Sequence, residues 1–306
     1  MISEFNRFFS SKSLASTYKP TFLKCLLDLG DYKEDEGSQW VSEDGDSLIV
    51  DLNFVAARFL RYYWTLRFKF KLKQEATAKR IAVYRILEEY EDQIGVKSTP
   101  SKSLMCSEQF KDLRFKTIQD GIKPQVLHKL LNDCKIYSIN KGSTSIVIKK
   151  ETVEYMKSNK KILEAALNHV LAEYLEKINS SPNISRKLEE KIPRTILKKD
   201  EFAKITAMEK SCFYCGKKDE RYAQEHFIPW NFIFDTQNFN IVAACNECNS
   251  SKNDKLSDSI YLKKILARNA NLEKLQFGYS SEYFKNLYDS CLREYHGIGQ
   301  KLWKVK

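Results

Sequence analysis

Two Cys-x-x-Cys pairs, Cys212–Cys215 and Cys245–Cys248, constrain this chain more than any other feature of its sequence. Four thiolates in two such pairs match the ligand set of a tetrahedral structural zinc ion, with Zn–S bonds of about 2.3 Å. A redox dithiol would need only one pair. Gly216, directly after the second thiolate, suits the tight turn that aims nearby amides at sulfur. The remaining cysteines, Cys25, Cys106, Cys134 and Cys291, stand singly among apolar neighbours and read as small core residues. The N-terminus lacks the apolar run and cleavage site of a secretory signal, so a cytoplasmic protein without a disulfide framework is expected. No segment approaches the roughly 20 apolar residues needed to cross a bilayer.

The spacer between the pairs is longer than a simple zinc ribbon requires, so its content decides the chemistry. It carries Glu225-His226-Phe227-Ile228-Pro229-Trp230 and then Asn240; after the second pair come Asn249, Lys252, Asn253, Asp254 and Lys255. A neutral imidazole near its ordinary pKa can take a proton from water at physiological pH, and His226 is the one histidine within this constellation. In a strand, successive side chains point to opposite faces, so Glu225 can hold a cation while His226 faces water. Pro229 ends the strand by withholding a ladder donor. On a helix, Asn249 and Asn253 share a face, and with Glu225 they would offer three oxygens to Mg²⁺ or Mn²⁺. Asp254 is a substitute for Asn253. Asn240 is expected to bridge the hairpin loop and orient His226, as an Asx-turn residue can. Lys252, Lys255 and Arg221 are candidate phosphate contacts, each also readable as solvated surface. Trp230 reads as core, and His128, His169 and His296 as structural residues.

The order and spacing over roughly residues 208–262 resemble the HNH, or ββα-metal, endonucleases, in particular the subgroup with two zinc knuckles and an H-F-I-P-W run. The resemblance implies a metal-dependent phosphodiester hydrolase acting on double-stranded DNA. It also implies a four-cysteine zinc site beside a one-metal catalytic centre, in a restriction or anti-phage setting. This chain departs by offering one carboxylate and two neutral amides where relatives often place histidine or aspartate. Other readings stay open: a homing or mobile-element nuclease, a nuclease acting on RNA, or a zinc-ribbon DNA-binding protein whose nuclease site is degenerate. Because one such site cuts one strand, a homodimer is one route to a double-strand break. A defence-system partner protein is another implied associate.

Ahead of this domain the patterning is mainly helical, so the fold class expected is α+β. It comprises residues 1–195 as a recognition or regulatory domain, divisible into two subdomains, and 196–306 as the ββα-metal HNH domain with C-terminal helices. Helices are expected over 14–29, ending at Gly30 as a C-cap, and over 74–94, 122–134 and 159–179. A turn-rich stretch over 31–47 marks a loop or hairpin. Pro124 is expected in the first turn of its helix. Two β-rich runs around Gly142 predict a hairpin, and this helix-plus-hairpin unit suggests a winged-helix element. Residues 179–187 read as a linker. The chain has 306 residues, 51 Lys and Arg, 40 Asp and Glu, and a net charge of +11, which points to a polyanionic partner. From residue 200 onward 16 basic residues face 14 acidic ones; the other 35 and 26 precede it. Most of the excess is therefore expected outside the nuclease domain.

Overall fold

Leu52–Trp64 is the helix around which the first part of the chain is built: ten of its thirteen residues are buried, on all sides of the helix. In a computed structural model, residues 2–10, 14, 16–74, 81–94, 99–142, 144–189, 194–273, 280–297 and 299–305 are described. The chain divides into two compact units, Met1–Ile178 and Asn179–Lys306. It is mixed α and β, mainly helical, with two small antiparallel sheets. Among the described residues no helix is long and apolar enough to cross a membrane.

The first unit contains α1 (Ile2–Ser10), α2 (Tyr18–Leu27), β1 (Val41–Asp44), β2 (Ser47–Asp51), α3 (Leu52–Trp64), α4 (Ala82–Ile94), α5 (Lys102–Cys106) and α6 (Lys111–Lys116). It continues with β3 (Ser138–Ile139), β4 (Ser145–Lys149), α7 (Lys150–Ser158) and α8 (Lys160–Ile178). Asp51 starts α3 by accepting from the Asn53 amide. The strand order is β1-β2-β4-β3, all antiparallel. The hairpin around Gly142 therefore exists, but β4 is paired along its whole length with β2. It is an interior strand, and the segment does not form a free two-stranded wing. Leu48, Val50, Ile146 and Ile148 are buried in the same core as α3.

Three local expectations shift. Helix α2 starts at Tyr18, and Gly30 lies inside the 3-10 turns Asp28–Glu34. Gly30 serves close approach instead of capping, since a Cβ there would stand 2.9 Å from Lys157 Cβ. Pro124 sits within wide π-helical turns spanning Thr117–Leu127, not in a first turn. Helix α4 begins at Ala82; the start expected at 74 falls partly on residues 75–80, outside the described residues.

The second unit contains α9 (Ile184–Lys187), α10 (Lys199–Glu209), β5 (Ala223–His226), α11 (Trp230–Ile233), β6 (Ile241–Ala244), α12 (Asn246–Lys252), α13 (Leu262–Glu273) and α14 (Ser281–Gly297). Its beginning explains why the division falls ahead of residue 195. Asn183 donates to the Ile233 carbonyl at 2.9 Å, Ser181 to Phe232 O at 3.1 Å, and the Glu294 carboxylate accepts from the Ser180 amide at 3.1 Å. The Lys187 ammonium, buried among Ser181 Oγ, Phe232 O and the Phe232 ring, has its pKa pulled down to about 7 by burial. What reads as a linker is thus part of the second core. Counted by these units, the charge divides as 29 basic against 24 acidic residues, and 22 against 16. The net values of these units are +5 and +6, while the excess counted ahead of residue 200 includes the basic residues between 179 and 199.

Ile146, fully buried on the interior strand β4, tests the first core. Ile146→Ala should cost about 2–5 kcal/mol through lost transfer energy and a residual cavity. Calorimetry should show the transition of the first unit lowered.

Candidate metal centre and buried histidine

The four sulfurs of Cys212, Cys215, Cys245 and Cys248 lie within 4.8 Å of one another, and Cys215 and Cys245 Sγ are 3.8 Å apart. Tetrahedral zinc with bonds of about 2.3 Å needs S···S separations of about 3.8 Å, so the cluster fits such an ion. Among the described residues this is the one group of His, Cys, Asp and Glu side chains arranged to hold a metal. The first knuckle closes through Cys212 N to Lys217 O and Gly216 N to Cys212 O, with Gly216 at φ +75°. That left-handed conformation is what reserves the position for glycine. Burial raises the Cys212 thiol, but the backbone amides of Cys215, Cys245 and Tyr214 outweigh it and bring its pKa down to about 7. Burial pushes Cys245 up to about 11 and Cys248 higher still. A bound cation would overturn that preference by taking the thiolates directly.

Between the knuckles β5 and β6 form an antiparallel pair in the register Ala223↔Ala244, Glu225↔Val242 and His226↔Ile241. The second knuckle opens α12, so the order is strand, strand, helix. Asn240 is fully buried: its Oδ1 accepts from Ile228 N and its Nδ2 donates to Ile228 O, each at 2.9 Å. Its own carbonyl accepts from Phe227 N at 2.8 Å. These three bonds fix the chain immediately after His226. Trp230 is buried and packs against Phe234 with the rings tilted, their centroids 4.3 Å apart. Cys25, Cys134 and Cys291 are buried and Cys106 partly so, while His128, His169 and His296 are exposed.

Glu225 and His226 are each 3% exposed. Lys252 is completely buried; its ammonium donates to Glu225 Oε1 at 2.6 Å and to the His226 carbonyl at 2.7 Å. It docks α12 onto β5 and so cannot be the phosphate contact expected from the sequence. Burial raises the Glu225 carboxyl above its usual range, with Lys252 opposing. Asn249 is half-buried on α12. Asn253 lies one residue beyond the helix, exposed, with φ +50°, so the two do not share a helical face. Asp254 is partly buried beside it, and Lys255 and Arg221 are exposed.

Both nitrogens of His226 are engaged. Arg194 Nη2 lies 2.8 Å from Nδ1, and Thr236 Oγ1 lies 3.1 Å from Nε2. Burial, then the charges of Arg194 and Lys252, hold the ring neutral, with its pKa depressed to about 3. The residues just before α10 lie along this strand: Leu197 exchanges hydrogen bonds with the Gln224 side chain at 2.8 and 3.1 Å, and Thr236 donates to Thr195 O at 2.8 Å. Neither Arg194 nor Thr236 was marked by the sequence. Arg194 follows a proline outside any motif, and Thr236 lies in a polar turn. No protein-family model, curated protein or solved structure matches the chain.

Two outcomes test this geometry. Purified protein should contain one zinc per chain by elemental analysis, and Cys248→Ser should lose the metal together with stability of the second unit. Lys252→Met should leave the Glu225 carboxylate buried without its cation. A cost of about 3–5 kcal/mol in denaturant unfolding is expected. A surface phosphate contact would instead leave stability unchanged.

Proposed function

We propose that the second unit is a zinc-stapled, metal-dependent endonuclease of the HNH type that hydrolyses DNA phosphodiester bonds. The observation that carries this reading is His226. It is a neutral imidazole on the first strand of a strand–strand–helix unit, next to a carboxylate, with the following loop clamped by Asn240 and the chain ahead of that strand gathered to the start of the helix by four cysteines. A neutral ring is the form that accepts a proton from water, and the clamp fixes the backbone that follows it. Hydrolysis also needs a cation at the scissile phosphate, where it stabilises developing charge on the leaving oxygen. Glu225 and Asn249 are the residues proposed to hold Mg²⁺ or Mn²⁺. Glu225 spends Oε1 on Lys252, so the ion shares that carboxylate with an ammonium and binds more firmly once a phosphate adds its own charge. Asn253 or Asp254, beyond the helix end, completes the set only through the loop.

Positive charge for the phosphate comes from Arg194, an exposed guanidinium at the edge of the site, with Lys255 and Arg221 as further exposed cations. On substrate binding Arg194 moves from the ring nitrogen to the phosphate, where a planar guanidinium pairs with two oxygens. The first unit, with net charge +5, is proposed to supply recognition or control. Restriction or anti-phage defence is the biological setting proposed for this architecture, with a homodimer as the route to cutting both strands.

Nicking of supercoiled plasmid is the direct test. Wild-type protein with Mg²⁺ or Mn²⁺ should convert plasmid to open circles, and His226→Ala should slow this by about a hundredfold or more. Unchanged cleavage by His226→Ala would sink the mechanism. Tight binding without cutting under any divalent ion would favour a DNA-binding module.

A further inference from the structure

The two nitrogens of His226 are not equivalent, and their partners say which does what. Arginine carries only donors, so Nδ1 must accept from Arg194. In a neutral ring the other nitrogen, Nε2, then carries the proton. Thr236 Oγ1 faces Nε2, and the Thr236 hydroxyl proton is already given to the Thr195 carbonyl at 2.8 Å. Its oxygen is therefore left as an acceptor, which is what an Nε2–H requires. Thr236 is itself fixed from below, because the Asp235 carboxylate accepts from its backbone amide at 2.8 Å and from the Gln237 side chain at 2.8 Å. Buried Lys252 reaches the His226 carbonyl and not the ring, so it leaves this choice untouched.

We propose that Thr236, locked by the Thr195 carbonyl, is the positioning residue that sets the tautomer of His226 and makes Nδ1 the proton-accepting nitrogen. The assignment rests on the nuclease reading for its catalytic meaning, but not for the ring state itself. Arg194 then marks the open side of the ring. The attacking water takes the place at Nδ1 that the guanidinium vacates when it turns to the phosphate. A proton passes from that water to Nδ1 as the water oxygen bonds to phosphorus; the bond from phosphorus to the sugar O3′ breaks, and that oxygen leaves with its electron pair and takes a proton from solvent. The ring, with both nitrogens protonated, is held in place through Nε2–H and Thr236. A mis-set tautomer would present an N–H to the water and could not act as base.

The test uses the full chain in three forms: wild type, Thr236→Val and Thr236→Ser. Valine keeps the shape and deletes the oxygen, whereas serine keeps the oxygen and deletes a methyl group. Ring nitrogen-15 NMR, with the His226 signals assigned by their loss in His226→Gln, reads the tautomer without any activity. Because Arg194 by itself favours an unprotonated Nδ1, the ring is read in the Arg194→Ala background, where the otherwise wild-type protein and Thr236→Ser should show protonated Nε2 and Thr236→Val a mixture of the two tautomers. In plasmid nicking, Thr236→Val should lose roughly a hundredfold in kcat with KM changed less than about twofold, and Thr236→Ser should recover most of it. An unchanged ring signature in Thr236→Val overturns the proposal whatever the cleavage result. So does a Thr236→Ser protein as impaired as Thr236→Val. A wild type that never cuts removes the nuclease reading alone, and the ring signature still decides the role of Thr236.

Discussion

Lys252 is the interaction on which the second unit turns. A completely buried ammonium joins Glu225 and the His226 carbonyl on the first strand to a helix of seven residues. So short a helix has little stability of its own, and its position must come from tertiary contacts. One end is gathered by the cysteine cluster and the other is pinned by Lys252. Placing a charge there is costly unless every partner is present, which makes the pairing unforgiving of substitution. It also means that the carboxylate expected to serve a metal has a structural duty as well. Glu225 is both a tie between strand and helix and the carboxylate next to His226 on the strand.

A second layer of contacts surrounds the hairpin from outside. Arg268 on α13 reaches the carbonyls of Ile241, Asn238 and Phe239 and pairs with Glu209, while Asn269 donates to Phe239 O. Glu209 in turn accepts from the Ala243 amide at 2.7 Å, and its burial raises its pKa to about 6. The turn carrying Asn240 is thus held by its own side chain within the hairpin and by a helix from beyond it. Rigidity of this kind is what the proton-accepting role proposed for His226 would require, since small displacements of reacting groups are expensive.

Much of this was legible in the sequence where the signal was local. Paired cysteines at fixed spacing announced a four-sulfur cluster, and the Gly216 turn came with them. Gly142 and the β-rich runs beside it announced a hairpin. The long-range pairings were not legible. Lys252 reads as a surface residue of a polar helix until Glu225, 27 positions earlier, is found against it. Asn253 keeps helical spacing from Asn249 in sequence, yet the helix stops one residue short of it. Nothing local reveals that β2, about a hundred residues earlier, covers the second strand of the hairpin around Gly142. Arg194 and Thr236 carry no pattern at all, because their meaning arises only where they meet one ring.

Residues 179–187 looked like a tether and, with Arg194 to Leu197, proved to be foundation. Their hydrogen bonds to residues 224–236 and to Glu294 mean that the smallest portable cassette begins at Asn179, ahead of the knuckles and the hairpin. A recombination event joining this cassette to a new partner at residue 196 would deliver the sulfur cluster and the histidine but leave behind Lys187 and Arg194. Such a hybrid would carry the recognisable motif without the floor beneath it. Exchange of whole functional pieces between chains is therefore confined to junctions on the N-terminal side of that stretch.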